Sequence, residues 1–120
     1  MEEIDFSSDT FSDIVAKDNR YHSRAYALLT NAVSNLTGTG GKHVSGADVL
    51  DEFKELTLDQ FGPLSFRVLS DWGVHSCEDV GEMMYNLVAA GRIQRDESDS
   101  KEDFLGGYDF GEAFLQPFEV

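Results

Sequence analysis

The stretch from Leu69 to Ile93 carries the strongest structural pattern in the chain. A helical run ends at Gly73, a second run can open after Ser76 with Asp79 three positions later, and that run stops at Gly91. Glycine commonly follows a helix C-terminus, and serine followed three residues later by an acidic residue is typical of a helix start. The spacing therefore predicts a helix-turn-helix that leads into a short segment of alternating apolar and polar residues.

The segment before this stretch predicts a central helix. Ser45 can cap it, Asp48 can bond back to the cap, and Val44 can pack on Val49 as a hydrophobic staple. Gly62-Pro63 ends this helix and begins the next, which is expected to bury Leu64, Val68, Leu69 and Trp72. The outward face of the central helix is acidic, and its members are Asp48, Asp51, Glu52, Glu55 and Asp59.

Two further helices are expected near the N-terminus, over residues 9–36. The first would bury Phe11, Ile14 and Val15, and the second, from Ser23 to Leu36, has apolar residues at spacings of three and four. The glycines after Thr37 then end the helical pattern. Their spacing does not match that of a phosphate-binding loop. These helices are interpreted as scaffold.

The C-terminal part predicts a β-hairpin. Residues 92–95 alternate like an edge strand, 96–103 form a polar turn, and Phe104 to Phe110 return with aromatic residues around a bulge at Gly106-Gly107. The predicted fold is thus mostly α, formally α+β, with about five helices and a small C-terminal hairpin. We expect one domain, 1–120, with a flexible lead-in at 1–8, a winged-helix-like core at 43–110 and a tail at 111–120.

Short blocks along the chain resemble a family of small acidic bacterial domains that has no assigned activity. The blocks are residues 20–22, 43–46, 61–63, 72–74, 81–88, 103–104 and 108–110. This resemblance implies a bacterial, cytoplasmic protein and supplies no functional residues. The turn at Gly73-Val74, the helix from Cys77 to Ala90 and its exit through Gly91 also resemble winged-helix domains, which typically place this helix in the DNA major groove.

The charge of the chain argues against that use. Nine Lys and Arg stand against 23 Asp and Glu, which gives a net charge of −14. Glu78, Asp79 and Glu82 would lead the presumed recognition helix, where a phosphate backbone requires Lys or Arg. A non-enzymatic module that binds a protein with a basic surface is therefore favoured over a nucleic-acid-binding regulator, and acidity that serves only solubility is the simpler alternative.

The residues expected to contact a partner lie on the third helix of the presumed winged-helix unit, on its wing and on the acidic face of the central helix. They are Glu78, Glu82, Tyr85, Arg92, Arg95, Asp51 and Glu55. Arg20 and His22 lie between two helices and can bind an anion or a partner carboxylate. The alternative for Arg20 is that it caps a helix end.

Chemistry is the third hypothesis. His22, His43, His75 and Cys77 would need to converge for a metal or nucleophilic site, and the acidic turn at 96–103 would need calcium-binding geometry that its spacing lacks. No metal or cofactor is expected. A cytoplasmic location is expected from the lone cysteine, the acidic first residues and the lack of a membrane-length apolar run. The protein is expected to be a monomer or a homodimer.

Overall fold

The computed structural model describes residues 11–37, 46–93, 104 and 107–118. Two turns of 3₁₀ helix, Gly62–Leu64 and Gln116–Phe118, accompany the α-helices. The α-helices in chain order are α1 (Ser12–Lys17), α2 (Ser23–Thr37), α3 (Gly46–Phe61), α4 (Ser65–Asp71), α5 (Cys77–Ala89) and α6 (Phe110–Phe114).

The core is built around the packing of α2 on α3, which is the most extensive contact between helices. Leu28 and Leu29 of α2 and Phe53 of α3 are fully buried there. Val80, Met83 and Leu87 of α5 are also fully buried. Each large apolar side chain removed from water contributes about 1.5 to 3 kcal/mol, so the amphipathic spacing of these helices determines how they pack.

The helix boundaries around the central turn agree with the sequence pattern. The hydroxyl of Ser76 accepts a hydrogen bond from the Asp79 amide at 3.3 Å, which caps α5. Gly73 follows α4 with a φ of +86°, and Gly91 follows α5 with a φ of +75°. Glycine adopts these left-handed angles without the Cβ clash that other residues meet.

The prediction that Leu64 faces the core is wrong, since 62% of Leu64 is exposed. Residues Gly62–Leu64 form a 3₁₀ turn, and α4 begins only at Ser65. The tighter turn changes which residue points inward. Ser65 is buried instead, and its hydroxyl donates to the backbone oxygens of Gly62 at 2.7 Å and Thr57 at 3.2 Å.

The predicted C-terminal β-hairpin is also wrong. No strand occurs in the described ranges: Arg92 and Ile93 lie in a bend after α5, Phe104 is in 3₁₀ conformation, and Phe110 begins α6. The carboxylate of Asp109 caps α6 by accepting from the Glu112 amide at 3.0 Å. The part of the chain that is described therefore contains no wing of a winged helix. The predicted turn at residues 96–103 and residue 106 of the predicted bulge lie outside the described residues.

The aromatic residues of this segment form a cluster around the short helix α6. Phe110 and Phe114 are four residues apart, both are buried, and their ring centres are 5.0 Å apart in an edge-to-face arrangement. Tyr108 stacks on Phe110 at 5.8 Å. The alternation that suggested a strand therefore comes from a short aromatic cluster, whose Tyr108 contacts Leu50 in α3 and Cys77 at the start of α5.

Gly73→Ala tests whether the turn needs glycine for a close approach as well as for its φ angle. A Cβ at position 73 would overlap the backbone oxygen of Arg20, whereas a Cβ at Gly91 would meet nothing within 4 Å. We expect Gly91→Ala to lower the free energy of unfolding by about 1 to 2 kcal/mol, the cost of a left-handed alanine, and Gly73→Ala by roughly 3 kcal/mol or more.

Urea unfolding followed by circular dichroism measures both values. Equal losses for the two variants would contradict the close approach, because both positions share the positive φ and only position 73 lies against another backbone segment.

Candidate functional site

The loop between α1 and α2 lies against the turn between α4 and α5. The amide of His22 donates to the backbone oxygen of Trp72 at 3.0 Å, and the absence of a Cβ on Gly73 leaves room for the Arg20 carbonyl. We call the two segments, residues 18–22 and 72–76, the junction. It brings together polar side chains that are far apart in the sequence.

Asp18 and Arg20 form a two-pronged ion pair in the junction. Nε of Arg20 lies 2.9 Å from Oδ1 of Asp18, and its Nη2 lies 2.6 Å from Oδ2. Nη2 is also 3.5 Å from Oε2 of Glu82 on α5. The guanidinium holds the pKa of Asp18 well below its usual range, and the Asp18 carboxylate raises the pKa of Arg20. Both groups therefore remain charged at neutral pH.

Asn86 on α5 connects this ion pair to the core. Its Nδ2 donates to Oδ2 of Asp18 and to the hydroxyl oxygen of Tyr26, both at 3.0 Å. Tyr26 is fully buried, and this burial raises the pKa of its hydroxyl. Because both donors of one amide are used, α5 is fixed to the α1–α2 loop and to α2 at the same point.

Tyr21 makes a second connection to the start of α5. Its hydroxyl donates to Oδ1 of Asp79 at 2.6 Å, and Oδ2 of the same carboxylate accepts from the His75 amide at 2.9 Å. Burial, together with the Asp79 carboxylate, raises the pKa of Tyr21. The acidic residue at this helix start thus bonds the amide before Ser76 and orders the turn as well as the helix.

An open cleft of about 360 Å³ lies beside the junction, with His22, Asp71 and Trp72 in its wall. The His22 ring lies nearly parallel to the Trp72 indole, with ring centres 6.3 Å apart and planes 20° apart. Phe61 meets the indole edge to face at 5.5 Å. Nδ1 of His22 accepts from the Arg24 amide at 3.1 Å, so the orientation of the exposed imidazole is fixed.

A second opening, of about 300 Å³, lies where residues 107–109 cross the start of α5. Sγ of Cys77 is 3.3 Å from both the amide nitrogen and the carbonyl oxygen of Tyr108. The hydroxyl of Tyr108 donates to the Leu50 carbonyl at 2.8 Å. Burial raises the pKa of the Cys77 thiol, which keeps it protonated and makes it a weak nucleophile.

Each pKa that is shifted among the described residues is shifted away from neutral pH. The pKa of Asp18 falls, and those of Arg20, Tyr21, Tyr26, Cys77 and Tyr108 rise. General acid–base catalysis uses groups whose pKa lies near the working pH. The perturbations here follow from burial and from structural hydrogen bonds.

The structure brings no set of metal-binding residues together within the described segments, where no group of three His, Cys, Asp or Glu could hold an ion. His75 is exposed, whereas Cys77 faces Tyr108. His43 and the acidic turn at 96–103 lie outside those segments. The hypothesis of a His and Cys site therefore finds no geometry among the residues described.

The predicted partner contacts that are exposed lie on two different helices, α3 and α5. Asp51 and Glu55 are exposed on α3, Glu78 is exposed in the first turn of α5, and Tyr85 is 53% exposed further along α5. Asp51 and Glu78 lie near the same C-terminal segment, because Asp51 acts on the pKa of Tyr108 and Glu78 lines the opening beside Tyr108.

The other predicted contacts have partners within the chain. Glu82 lies beside Arg20, and Arg92 pairs with Asp13 at 2.8 Å while its guanidinium lies 5.5 Å from the centre of the Phe11 ring. These interactions hold α1 and its preceding residue against the end of α5. Arg95 lies outside the described residues.

The proposed anion site at Arg20 and His22 remains a prediction, and the local charges disfavour it. The guanidinium already faces the carboxylates of Asp18 and Glu82, so an arriving anion would meet two negative groups beside one positive group. His22 and Arg20 do line the same cleft. The sequence pattern did not indicate that Asp18 and Glu82 lie beside the Arg20 guanidinium.

Sequence reasoning missed three residues that shape this region, namely Asp18, Asp71 and Asn86. Asp18 and Arg20 stand close together in the sequence, so a local ion pair between them could have been predicted. Asn86 stands among outward-facing positions of α5, and nothing in its local pattern indicates contact with Asp18, 68 positions away. Only the tertiary fold reveals that contact.

No known protein family, characterised protein or solved structure matches the chain. The resemblance to small acidic bacterial domains therefore remains a prediction. Within the described ranges, none of the helices has both the length and the apolar character required to cross a lipid bilayer.

Asp18→Asn tests the ion pair. The folded state depresses the pKa of Asp18, so the carboxylate stabilises the fold above its unfolded-state pKa of about 4, and this contribution is lost as the pH falls. We expect the variant to lose about 1 to 2 kcal/mol of unfolding free energy near pH 7, since the pair is charge-assisted but partly solvated.

Urea unfolding at several pH values between 7 and 2 measures the effect. The difference between the wild type and Asp18→Asn should shrink below about pH 4. Asp59→Asn removes an equal charge from an exposed position on α3 and should change stability by less than about 0.5 kcal/mol. A loss that is equally large at pH 7 and pH 2 would rule out the ion pair as its cause.

Proposed function

We propose that this protein is a non-enzymatic interaction module that binds a protein partner through a basic surface of that partner. The observation that carries the proposal is the outer edge of α3. Asp51, Glu55 and Asp59 are exposed there, and each lies four residues from the next. They make no ion pair with any other described residue, so their charge is available to a partner.

The helix geometry places these carboxylates in a row. Residues four apart lie on the same side of a helix, and eight residues rise about 12 Å along its axis. The net charge of −14 adds a long-range field of the same sign. Such a field accelerates encounter with a basic surface, and the exposed row adds local complementarity.

Two of the arginines that a nucleic-acid interface would need form ion pairs with carboxylates of the chain. Arg20 pairs with Asp18, and Arg92 pairs with Asp13. A phosphate backbone would have to displace these carboxylates and would approach a strongly negative protein. The nucleic-acid alternative is therefore less well supported than protein binding, and no specific observation favours the metal or enzyme alternative.

The cytoplasm remains the expected compartment, and the choice between monomer and homodimer remains open. Neither affects the proposal. An acidic face on an amphipathic helix can bind a basic partner in either oligomeric state, because the carboxylates lie opposite the side of α3 that packs on α2.

The proposal is tested by titrating the full chain with a labelled twelve-residue peptide in which Lys and Arg alternate with Ser, followed by fluorescence anisotropy. We expect binding at low salt that weakens steeply as salt is added, because exposed charges are screened over about 10 Å at 0.1 M. A peptide with Glu in place of Lys and Arg should not bind.

The triple variant Asp51→Asn, Glu55→Gln, Asp59→Asn should bind the basic peptide about tenfold more weakly or worse, at a few tenths to 1 kcal/mol for each exposed charge. The matched control Asp51→Glu, Glu55→Asp, Asp59→Glu keeps all three charges and should bind like the wild type. Failure of the wild type to bind the basic peptide at low salt would refute the proposed function.

A further inference from the structure

We propose that the cleft beside the junction is a recognition site for an arginine side chain of the basic partner. This inference rests on the proposed function and specifies which group the partner inserts. The cleft has a volume of about 360 Å³, and its wall combines an exposed imidazole, an indole and a carboxylate. These are the groups that a planar cation can bind at the same time.

The first feature is a ring surface of fixed orientation. His22 is exposed and stacks on Trp72, and Phe61 meets the indole edge to face. The Arg24 amide donates to Nδ1 of His22 at 3.1 Å, which holds the ring in this orientation. A planar guanidinium can stack on an aromatic face, whereas a compact ammonium matches such a face less well.

The second feature is the carboxylate of Asp71 at the edge of the cleft. Asp71 is exposed and makes no ion pair with another described residue. A carboxylate can accept two parallel N–H donors from one guanidinium, which fixes both the orientation and the identity of the cation. Asp71 immediately precedes Trp72, so the carboxylate and the stacked rings are held by the same turn.

The charges around the cleft come from Arg20, Asp71 and two helix ends. Arg20 lines it, but Asp18 and Glu82 neutralise that guanidinium, and Arg24 does not line it. The N-terminus of α2 and the C-terminus of α4 both lie at the cleft, and the partial charges of these two helix ends have opposite signs. The full charge of Asp71 therefore sets the sign of the local field, which favours a cation.

Trp72 provides a direct readout, because it is the only tryptophan in the chain. The experiment titrates the full protein with two peptides of equal length and charge, one with arginine alternating with glycine and one with lysine alternating with glycine. We expect the arginine peptide to bind about three- to tenfold more tightly and to change the Trp72 emission to saturation. The lysine peptide should bind through general electrostatics with little change in emission.

Four variants locate the preference. Asp71→Asn and His22→Ala should remove the arginine preference, because the first loses the bidentate acceptor and the second loses the stacking face. Asp59→Asn removes the same charge from α3, and His22→Phe keeps a ring at position 22, so both should retain the preference.

The outcomes separate this inference from the proposed function. Equal affinity for the two peptides, or an arginine preference that survives Asp71→Asn and His22→Ala, overturns the arginine site while the basic-partner function stands. Binding of neither peptide at low salt overturns both. Circular dichroism of each variant identifies any loss of folding, and Asp71→Asn, at an exposed position, keeps the test decisive if His22→Ala unfolds.

Discussion

The close approach of the Arg20 carbonyl to Gly73 determines how the loop between α1 and α2 meets the turn between α4 and α5. A side chain at position 73 would push the two backbone segments apart. With that approach in place, the His22 amide reaches Trp72, the Tyr21 hydroxyl reaches Asp79, and the Asp18 carboxylate reaches Asn86. The polar network and the adjoining cleft both lie at this backbone contact.

The network uses charge in a different way from the outer surface. Asp18 and Arg20 compensate each other and are held by hydrogen bonds, so they stabilise a particular arrangement of α1, α2 and α5. Asp51, Glu55 and Asp71 are solvated and are not compensated by described cations. The Asp18–Arg20 pair stabilises the fold, and the uncompensated carboxylates elsewhere on the surface leave the chain attractive to basic partners.

Local signals predicted the helices well and predicted long-range contacts poorly. Ser76, Gly73 and Gly91 mark ends of helices through backbone chemistry that acts over a few residues, so their roles were readable. Leu64 was misplaced because a 3₁₀ turn differs from an α-helix by a fraction of a residue per turn. The hairpin was wrong because aromatic residues at positions 104, 108 and 110 fit a strand period as well as a helical cluster, and the Asp109 cap decides for the helix.

The candidate site was predictable only in part. Sequence placed Arg20 and His22 together in one loop, and they do share a cleft. It could not show that Trp72 stacks on His22 or that Glu82 approaches Arg20, because both contacts depend on how helices pack. The acidic face of α3 was readable from its spacing, since its residues remain on one side of a single helix.

Native-state hydrogen exchange of the His22 amide tests the central role of the junction most directly. This amide bonds to Trp72 across the junction, whereas the amide of Leu29 lies within α2 in the core. If the junction opens only when the protein unfolds, the two amides should show opening free energies within about 1 kcal/mol of each other. An opening free energy several kcal/mol lower for His22, with Leu29 still protected, would show that the junction opens separately and would contradict the account.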